Sequence, residues 1–193
     1  DRFLVVAESN DIPAVICANK NDLVTREEAE KVFGVYRRIG YTVLFTSTTS
    51  GEGVNDLRDL LIGKISALSG PSGVGKSSLL NAIQPQLGIK VKTVSEATQK
   101  GRHTTVHPEL IPLEGGGWVA DTPGIRALAL YDIDPYELDG YFREIRPYVS
   151  QCAFSNCTHT QENGCAVRLA VEKGEIHQIR YESYRKIRAG QEN

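Results

Sequence analysis

Residues 70–77 read Gly-Pro-Ser-Gly-Val-Gly-Lys-Ser and fill every fixed position of the phosphate-loop pattern G-x-x-x-x-G-K-[ST]. An apolar run at residues 65–68 precedes this stretch, and residues 78–83 follow it with helical spacing. A strand therefore leads into the loop and a helix leaves it, which is the setting that the motif needs. The alternative is a glycine-rich turn that contains Lys-Ser by coincidence, and it leaves these flanks unexplained. The stretch predicts a binding site for a chain of phosphates.

The residues of this loop have separate expected tasks. Glycines let the main chain turn its N–H groups onto phosphates, and the positive end of the following helix strengthens that binding. Lys76 is expected to reach the β- and γ-phosphates as a point charge, and the Ser77 hydroxyl is expected to ligate Mg²⁺. The other residues expected to contact the nucleotide here are Gly70, Ser72, Gly73, Val74, Gly75 and Ser78.

A second motif lies upstream, where Asn19, Lys20, Asn21 and Asp22 directly follow an apolar run at residues 15–18. Open α/β sheets bind ligands at the carboxyl ends of such strands. Asn-Lys-x-Asp is the pattern by which GTPases recognise guanine: Asp22 accepts from the ring N–H and the exocyclic amine, Asn19 braces the loop, and the Lys20 stem covers the base. Adenine would leave the carboxylate unpaired. Four residues alone are a weak signal, and an ordinary polar turn stays open as the alternative.

The next segments predict a helix with a structural role, followed by a strand and a second loop that contacts guanine. A capping box at residues 25–28 starts a helix that Gly40 ends. Apolar side chains recur along one face of that helix: Ala29, Val32, Phe33, Tyr36 and Ile39. Residues 41–46 return as a strand, and Ser47 and Thr48 at its end lie where GTPases place a loop that contacts guanine through backbone amides. Residues 51–57 open a further helix that runs to about residue 61.

A long segment after the phosphate-loop helix resembles a switch. Residues 84–100 show no sustained period and predict a mobile loop, which ends in Gly-Arg-His-Thr-Thr at residues 101–105. Thr104 or Thr105 is expected to offer a second hydroxyl to Mg²⁺ when a γ-phosphate is present. Ordinary polar loop residues are the alternative.

A predicted hairpin is followed directly by another element that is expected to sense the γ-phosphate. Residues 109–113 and 117–120 pair across a glycine-rich turn and lead to Asp121 and Gly124. In an Asp-x-x-Gly element that follows a strand, the aspartate orients Mg²⁺ through water and the glycine amide bonds the γ-phosphate. Its position downstream of a phosphate loop favours that function.

The order of these motifs is rotated relative to ordinary GTPases. Those proteins carry the phosphate loop first, then Asp-x-x-Gly, then the guanine motif and the serine loop. Here the motifs at Asn19 and Ser47 precede those at Gly70 and Asp121. A circular permutation keeps every strand in place while it moves the chain ends, and domains tolerate it because their termini usually lie close together.

A late cysteine cluster predicts a metal site. Cys152, Cys157, His159 and Cys165 have the spacing C-x4-C-x-H-x5-C. Three thiolates and one imidazole can close a tetrahedral Zn²⁺ site. A disulfide would leave one cysteine over and suits a secreted protein, which the nucleotide motifs disfavour. The remaining cysteine, Cys17, lies in an apolar run and is expected to be a buried thiol.

Composition limits the partners and the location. The 193 residues are 40% hydrophobic and carry a net charge of −2, so no overall electrostatic attraction to nucleic acid is expected. No apolar run reaches membrane-spanning length, and no basic-then-apolar leader opens the sequence. We expect a cytoplasmic monomer without a membrane partner. Because the sequence contains no methionine and begins at Asp1, we also expect it to be a piece of a longer protein.

Together these features resemble the circularly permuted GTPases, and specifically the ribosome-small-subunit-dependent GTPase A family (RsgA, also called YjeQ). The resemblance rests on the phosphate loop, on Gly-Arg-His-Thr-Thr at residues 101–105, on Asp-Thr-Pro-Gly-Ile at residues 121–125 and on the cysteine cluster, and it covers essentially the whole chain. It implies a Ras-like P-loop fold, Mg²⁺-dependent hydrolysis of GTP to GDP, and one structural zinc ion on the same four ligands. It also implies an OB-fold domain that would precede Asp1.

The predicted fold class is α/β, with two domains. A circularly permuted P-loop GTPase domain covers residues 1–132, and a small, mainly α-helical zinc-binding domain covers residues 133–193. Residues 135–148 and 175–189 are predicted helices of the second domain.

The last of these helices has an apolar face and a set of arginines. The apolar side chains that share one face are Ile176, Ile179, Tyr184 and Ile187. The arginines that lie elsewhere on it are Arg180, Arg185 and Arg188. They are hypothesised to contact rRNA phosphates, because the family's ribosome-binding surface includes this region, and a solvated face is the alternative.

The resemblance implies a ribosome biogenesis factor that acts late in maturation of the small (30S) subunit, which stimulates its GTP hydrolysis. Lys76 and Mg²⁺ neutralise charge in that reaction. Ile125 stands where many GTPases place a water-orienting glutamine, so slow intrinsic turnover is expected. His103 is the candidate for orienting the water, and a histidine without a catalytic role is the alternative. Two other functions stay open: a zinc-stabilised RNA-binding module that uses the nucleotide as a switch, and a phosphate-loop ATPase.

Overall fold

The computed structural model describes residues 1–89, 109–121 and 133–190. The chain forms two compact units. The central unit contains residues 15–126, and the flanking unit contains residues 1–14 together with residues 127–193. Among the described helices, none has both the length and the apolar character needed to cross a lipid bilayer.

Helices and short strands alternate over residues 1–83, and two consecutive strands and then three helices follow among the described residues. The helices are α1 (Arg2–Ser9), α2 (Arg26–Arg38), α3 (Val54–Leu61), α4 (Lys76–Ile83), α5 (Arg146–Val149), α6 (Ala166–Glu172) and α7 (Gln178–Arg188). The strands are β1 (Val15–Ala18), β2 (Thr42–Phe45), β3 (Ile65–Leu68), β4 (Glu109–Pro112) and β5 (Trp118–Asp121). Short 3₁₀ turns cover Asn21–Leu23, Pro85–Leu87 and Leu138–Tyr141.

A parallel pair of strands begins the central unit. Strand β1 pairs with β2 in register from Val15 opposite Thr42 to Ala18 opposite Phe45. Helix α2 crosses between them, and its predicted capping box is confirmed, because Thr25 and Glu28 each bond the other's backbone N–H. Both strands end at the same edge, so the two loops that follow them lie side by side.

The predicted apolar face of α2 is wrong at one position. Val32 is 58% exposed, whereas Val35 is 3% exposed and contributes to the core instead. At about 100° per residue, Val35 lies on the opposite side of the helix from Ala29 and Phe33, so its burial means that α2 is covered on a second face as well.

A three-stranded sheet with the order β3-β5-β4 carries the second half of the central unit. The predicted hairpin is confirmed as the antiparallel pair β4 and β5. Strand β5 also runs parallel to β3, with Asp121 opposite Leu68. The core beneath this sheet is made of leucines from α3 and α4 and residues of the hairpin: Leu57, Leu61, Leu79, Leu80, Leu113 and Val119. This packing fixes α4 and the loop in front of it.

The flanking unit is helical around a separate apolar core. Its buried members are Val5, Leu138, Phe142, Ile145, Cys165, Val167, Ala170, Ile176, Tyr181 and Tyr184. The Phe142 and Tyr184 rings meet edge to face with centroids 5.5 Å apart. Helix α1 packs here through Val5, which is 1% exposed, and its Glu8 carboxylate pairs with Arg143 at 2.7 Å.

The prediction of a single helix over residues 135–148 is wrong. The segment holds a 3₁₀ turn at Leu138–Tyr141 and the one-turn helix α5, with Phe142 extended between them at ψ 105°. Gly140 lowers helix propensity, and Pro147 cannot donate a backbone hydrogen bond inside a helix, so it stands in the first turn of α5. The final helix is also shorter than predicted, because His177 caps it and α7 begins at Gln178.

The buried face of α7 differs from the predicted one. Arg180 is 1% exposed, whereas Ile179 is 54% exposed. The Arg180 guanidinium bonds Glu144 at 2.6 Å and also pairs with Asp1, and it lies over the Phe142 ring. Arg180 is therefore an internal ion-pair residue and is not available to a partner, which corrects its predicted surface role.

The predicted domain division at residue 132 remains a prediction, and the compact units differ from it at the N-terminal end. Residues 1–14 group with the C-terminal helices rather than with the central unit. The physical reason is the amphipathic character of α1, whose Val5 and Glu8 find apolar and basic partners on residues 142–146.

Candidate nucleotide site and metal centre

The phosphate loop lies between β3 and α4, as its flanks predict. Gly75 is the N-cap of α4 at φ 95°, and Gly73 has φ 80°. L-residues avoid this region of φ, so the glycines allow the main chain to curl in front of the helix. The Lys76 ammonium closes the curl by donating to the carbonyl oxygens of Gly70 at 2.7 Å and Pro71 at 3.0 Å.

The guanine motif contacts this loop directly. The Asn19 side-chain amide donates to the Val74 carbonyl oxygen at 2.9 Å, and the Lys20 ammonium donates to the Gly73 carbonyl oxygen at 2.8 Å. Lys20 itself has left-handed backbone geometry at φ 65°, which turns the chain from the end of β1 toward the loop. Two segments far apart in sequence therefore form one site.

Thr46 sets the orientation of Asn19, and sequence reasoning missed it. Its hydroxyl donates to Asn19 Oδ1 at 3.1 Å, so the amide NH₂ faces Val74. Thr46 is fully buried, and its oxygen lies 3.2 Å from the Cys17 sulfur. Burial raises the pKa of the Cys17 thiol, which keeps it a neutral group in this chain of hydrogen bonds. Sequence reasoning could have found Thr46 from its position, because it directly follows strand β2, which runs parallel to β1.

Asp22 and Ser47 lie next to each other. The Ser47 hydroxyl donates to the Asp22 carboxylate at 2.5 Å and accepts from the backbone N–H groups of Thr49 and Ser50. The Ser47 backbone N–H donates to the Glu52 carbonyl at 2.9 Å, so its side chain, not its amide, serves the guanine motif. Thr48, the other residue predicted for this loop, is exposed.

Glu52 is a further residue that sequence reasoning missed. Its carboxylate accepts from the Asn21 side chain at 2.9 Å and pairs with Arg26 at 3.4 Å. Since its carbonyl also holds Ser47, Glu52 ties together the loops that follow β1 and β2. The sequence Gly-Glu-Gly at the start of the predicted helix could have pointed to Glu52, because it places a charged side chain between two glycines that favour turns.

Several predicted switch residues fall outside the described residues: His103, Thr104, Thr105 and Gly124. Asp121 is the last residue of β5, and its backbone lies opposite Leu68, two residues before the phosphate loop begins. The register therefore brings the chain of the Asp-x-x-Gly element to the start of that loop.

The residues present fit a nucleotide. A cation and a curled, glycine-rich main chain face the same point at the N-terminus of the eight-residue helix α4, which is the arrangement that attracts phosphate. A Cβ added at Gly73 would meet no atom within 4 Å, so the loop leaves open space there. Ser77 and Ser78 lie half-buried in the first turn of α4.

The four predicted metal ligands form one cluster in the flanking unit. The ligand atoms of Cys152, Cys157, His159 and Cys165 all lie within 4.8 Å of one another. His159 Nδ1 is 3.5 Å from the sulfurs of Cys152 and Cys165, and those sulfurs are 4.0 Å apart. Tetrahedral zinc with ordinary bond lengths requires N···S separations of about 3.5 Å and S···S separations of about 3.8 Å. The cluster therefore fits a Cys3His zinc site.

The loop that presents His159 is held by its surroundings. The Tyr181 and Tyr184 hydroxyls donate to the main-chain carbonyls of His159, at 2.6 Å, and Thr158, at 3.0 Å. The Glu162 carboxylate accepts from the backbone N–H groups of Thr158 and Thr160, among others. Partial burial opposes ionisation of Glu162, but these hydrogen bonds hold its pKa far below the usual range. His159 has φ 59°, a strained geometry that these contacts maintain.

Comparison with known proteins gives a consistent family match. The family model of the RsgA GTPase matches residues 1–131. A relative from Gemmatimonas aurantiaca named small ribosomal subunit biogenesis GTPase RsgA is 51% identical over 97% of this chain and 61% of its own length. A relative of the same name from Caldanaerobacter subterraneus is 48% identical over 95% of this chain and 62% of its own length. The chain thus spans less than two thirds of these relatives.

Solved structures show the same architecture. The crystal structure of YjeQ from Thermotoga maritima superposes with a TM-score of 0.79 at 41% identity, over 98% of this chain and 63% of that one. The structure of YloQ, described as a circularly permuted GTPase, superposes with a TM-score of 0.75 at 39% identity, over 98% of this chain and 60% of that one. The predicted fold class, a permuted P-loop fold followed by a segment with a Cys3His cluster, is confirmed.

Proposed function

Because the chain belongs to the RsgA GTPase family, we propose that it binds guanine nucleotides and hydrolyses GTP to GDP and phosphate in biogenesis of the small ribosomal subunit. The observation that carries the proposal is the hydrogen bond from Asn19 to Val74, since it joins a guanine motif to a phosphate loop in one site. The names of the relatives support the ribosomal role.

In this proposal the phosphates bind at the start of α4. The Lys76 ammonium exchanges the Gly70 and Pro71 carbonyls for phosphate oxygens, and the main chain of residues 72–75 donates N–H groups. The Ser77 hydroxyl ligates Mg²⁺, which neutralises charge on the β- and γ-phosphates when bound. Asp121 and Gly124 act on the same end of the nucleotide.

The base binds beside Asp22. Its carboxylate accepts hydrogen bonds from the guanine edge, and Ser47 holds that carboxylate in place. The Lys20 stem, fixed at its end by Gly73, covers one face of the base. Asn19 keeps both halves of the site together, and Thr48 contributes from the neighbouring loop. An adenine edge offers no matching donor pair, so ATP binding leaves Asp22 unpaired.

Hydrolysis needs a water molecule in line with the γ-phosphate. Ile125 follows the Asp-x-x-Gly element and cannot hydrogen-bond that water, so intrinsic turnover is slow. In the proposal His103 orients the water and Thr104 or Thr105 meets Mg²⁺ once the switch segment docks. In the proposal the small ribosomal subunit stimulates this turnover.

The flanking unit binds one structural zinc ion through its Cys3His cluster and contacts rRNA. Arg185 is exposed, which suits a phosphate contact, whereas Arg180 is internal. Arg188 is half-buried and donates to the Pro135 carbonyl, so its contribution is smaller. In the proposal the protein acts in the cytoplasm, where its partner, the small subunit, is located, and it acts as a monomer.

Steady-state phosphate release with and without purified small subunits tests this proposal. We expect slow GTP turnover that rises when subunits are added, and no comparable rise with ATP. Lys76→Ala serves as the control that removes phosphate binding. Subunit binding that depends on GTP but gives no phosphate release would instead support a zinc-stabilised RNA-binding module. Equal use of ATP and GTP would support a phosphate-loop ATPase.

A further inference from the structure

The Asp139 carboxylate lies behind the His159 ring, on the side away from the cysteine sulfurs. Its Oδ2 is 3.0 Å from His159 Nε2, while His159 Nδ1 is 3.5 Å from two of those sulfurs. His159 is fully buried, and the Asp139 side chain is 16% exposed. We propose that Asp139 is a positioning residue of the metal centre, which fixes the tautomer and the angle of the His159 ring. This inference rests on the proposed zinc site.

The chemistry of imidazole gives the contact its direction. A neutral imidazole carries one N–H donor and one acceptor, whereas an ionised carboxylate only accepts. The proton therefore lies on Nε2, where Asp139 accepts it, and the Nδ1 lone pair faces the sulfurs. The opposite tautomer would place two acceptors face to face at 3.0 Å and an N–H in the metal position. Asp139 thus selects the tautomer that can ligate a cation.

The segment that carries Asp139 is anchored well enough to orient a ring. Asp139 lies in the 3₁₀ turn Leu138–Tyr141, which the buried side chains of Leu138 and Phe142 hold on both sides. The other end of the histidine is fixed too, because Tyr181 bonds its carbonyl oxygen. His159 is therefore held at its ring and at its main chain by two elements distant from the cysteine loop in sequence.

Asp139 sits outside the cysteine motif, so the metal centre draws on a longer stretch of chain than its four ligands span. Outer partners of metal-bound histidines typically change metal affinity by about 10- to 100-fold when they are lost. We expect Asp139→Ala to weaken zinc binding by a factor in that range, because a freed ring samples the wrong tautomer and angle. Asp139→Asn keeps an oxygen acceptor and should recover most of the lost affinity.

Competition between the intact chain and a chromogenic zinc chelator measures these affinities. Glu137→Ala is the matched control, since it removes a nearby acidic side chain that bonds Tyr141 instead of His159. It should bind zinc as the unaltered chain does. An equal loss in Glu137→Ala, or no loss in Asp139→Ala, would overturn the inference.

A double-mutant cycle separates positioning from a general effect on folding. In a His159→Cys background the site has four thiolates and no imidazole to orient, so Asp139→Ala should cost little there. A cost as large as in the His159 background would show a purely structural role and reject the proposal. Cobalt(II) absorption bands, which report the ligand set, should change with Asp139→Ala only when His159 is present. If the unaltered chain bound no zinc, the metal site itself would fail, which is a distinct result.

Discussion

The Asn19 amide donates a hydrogen bond to the Val74 carbonyl oxygen over 2.9 Å, and it does so with its other end held by the buried Thr46 hydroxyl. This contact links residues separated by 55 positions in sequence. It places a base-recognition motif against a phosphate-binding motif, as a nucleotide that carries both groups requires.

Removing the Asn19 side chain should weaken nucleotide binding. Asn19→Ala loses one hydrogen bond that positions the loop, so we expect GDP and GTP affinities to fall by about 3- to 10-fold. Titration with a fluorescent guanine nucleotide measures the change. Asn21→Ala is the control, because Asn21 lies in the same motif but bonds Glu52. An equal effect of the two substitutions would mean that the motif as a whole, rather than this contact, sets affinity.

Asp22→Asn should reduce discrimination between guanine and adenine nucleotides. A hydrogen bond to a charged acceptor contributes about 1.5–3 kcal/mol, so the preference for GTP over ATP should fall by about 10- to 100-fold. Competition of unlabelled ATP and GTP against a labelled guanine nucleotide measures it. Asp59→Asn removes a similar charge from an exposed position on α3, outside the guanine motif, and should leave the preference intact. An unchanged preference in Asp22→Asn would remove Asp22 from base recognition.

Alanine at Gly75 should destabilise the fold more than alanine at Gly73. Both positions have positive φ, and each substitution should cost about 1–2 kcal/mol of unfolding free energy for the left-handed backbone. A Cβ at Gly75 would also lie 2.4 Å from the Asn19 amide nitrogen, whereas one at Gly73 meets no atom within 4 Å. Urea unfolding without nucleotide should therefore show a further loss of about 1 kcal/mol for Gly75→Ala. That difference should shrink in an Asn19→Ala background.

The arginines of α7 should separate into structural and surface classes. Arg180→Ala leaves the buried Glu144 carboxylate without its partner, so we expect a loss of about 3–5 kcal/mol in unfolding free energy. Exposed Arg185→Ala should change it by less than about 0.5 kcal/mol. Chemical denaturation distinguishes these outcomes. Arg185→Glu should in turn weaken small-subunit binding in a sedimentation assay, and equal binding would reject its proposed phosphate contact.

Metal removal should destabilise the flanking unit selectively. A chelator strong enough to extract zinc leaves three thiols and an imidazole crowded within 4.8 Å without the ion that joins them. For a unit of this size, each kcal/mol lost lowers the midpoint of thermal unfolding by about 4–8 °C. Calorimetry should show this shift, while nucleotide affinity in the central unit, measured with Mg²⁺ in excess after the chelator has been removed, is retained. Loss of nucleotide binding on chelation would contradict independent cores.

The sequence predicted the elements whose signals are local. The phosphate loop stands between a strand and a helix because its glycines and flanks permit little else, and the Thr25 capping box forms from residues within one turn. The four predicted metal ligands cluster because their spacing fits one loop. Each of these predictions depends on neighbours along the chain, so tertiary context did not alter them.

Most of the failures involve partners that are distant in sequence. The residues next to Arg180 in sequence do not show whether its side chain is exposed to solvent or paired with Glu144, because only the fold brings Glu144 into contact with it. Thr46 and Asp139 act through contacts 27 and 20 positions away, respectively, which no local pattern encodes. The break within residues 135–148 was foreseeable from Gly140 and Pro147, whose effect on helix formation outweighs the apolar spacing around them.

Helix α1 completes a core whose other members lie beyond residue 133, so the unit is closed by its two sequence extremes. During synthesis α1 emerges before these partners, and the apolar Val5 side chain stays exposed while the intervening residues 15–126 are made. The core of the flanking unit is complete only after α7 has been translated, so this unit should gain resistance to proteolysis later than the central unit.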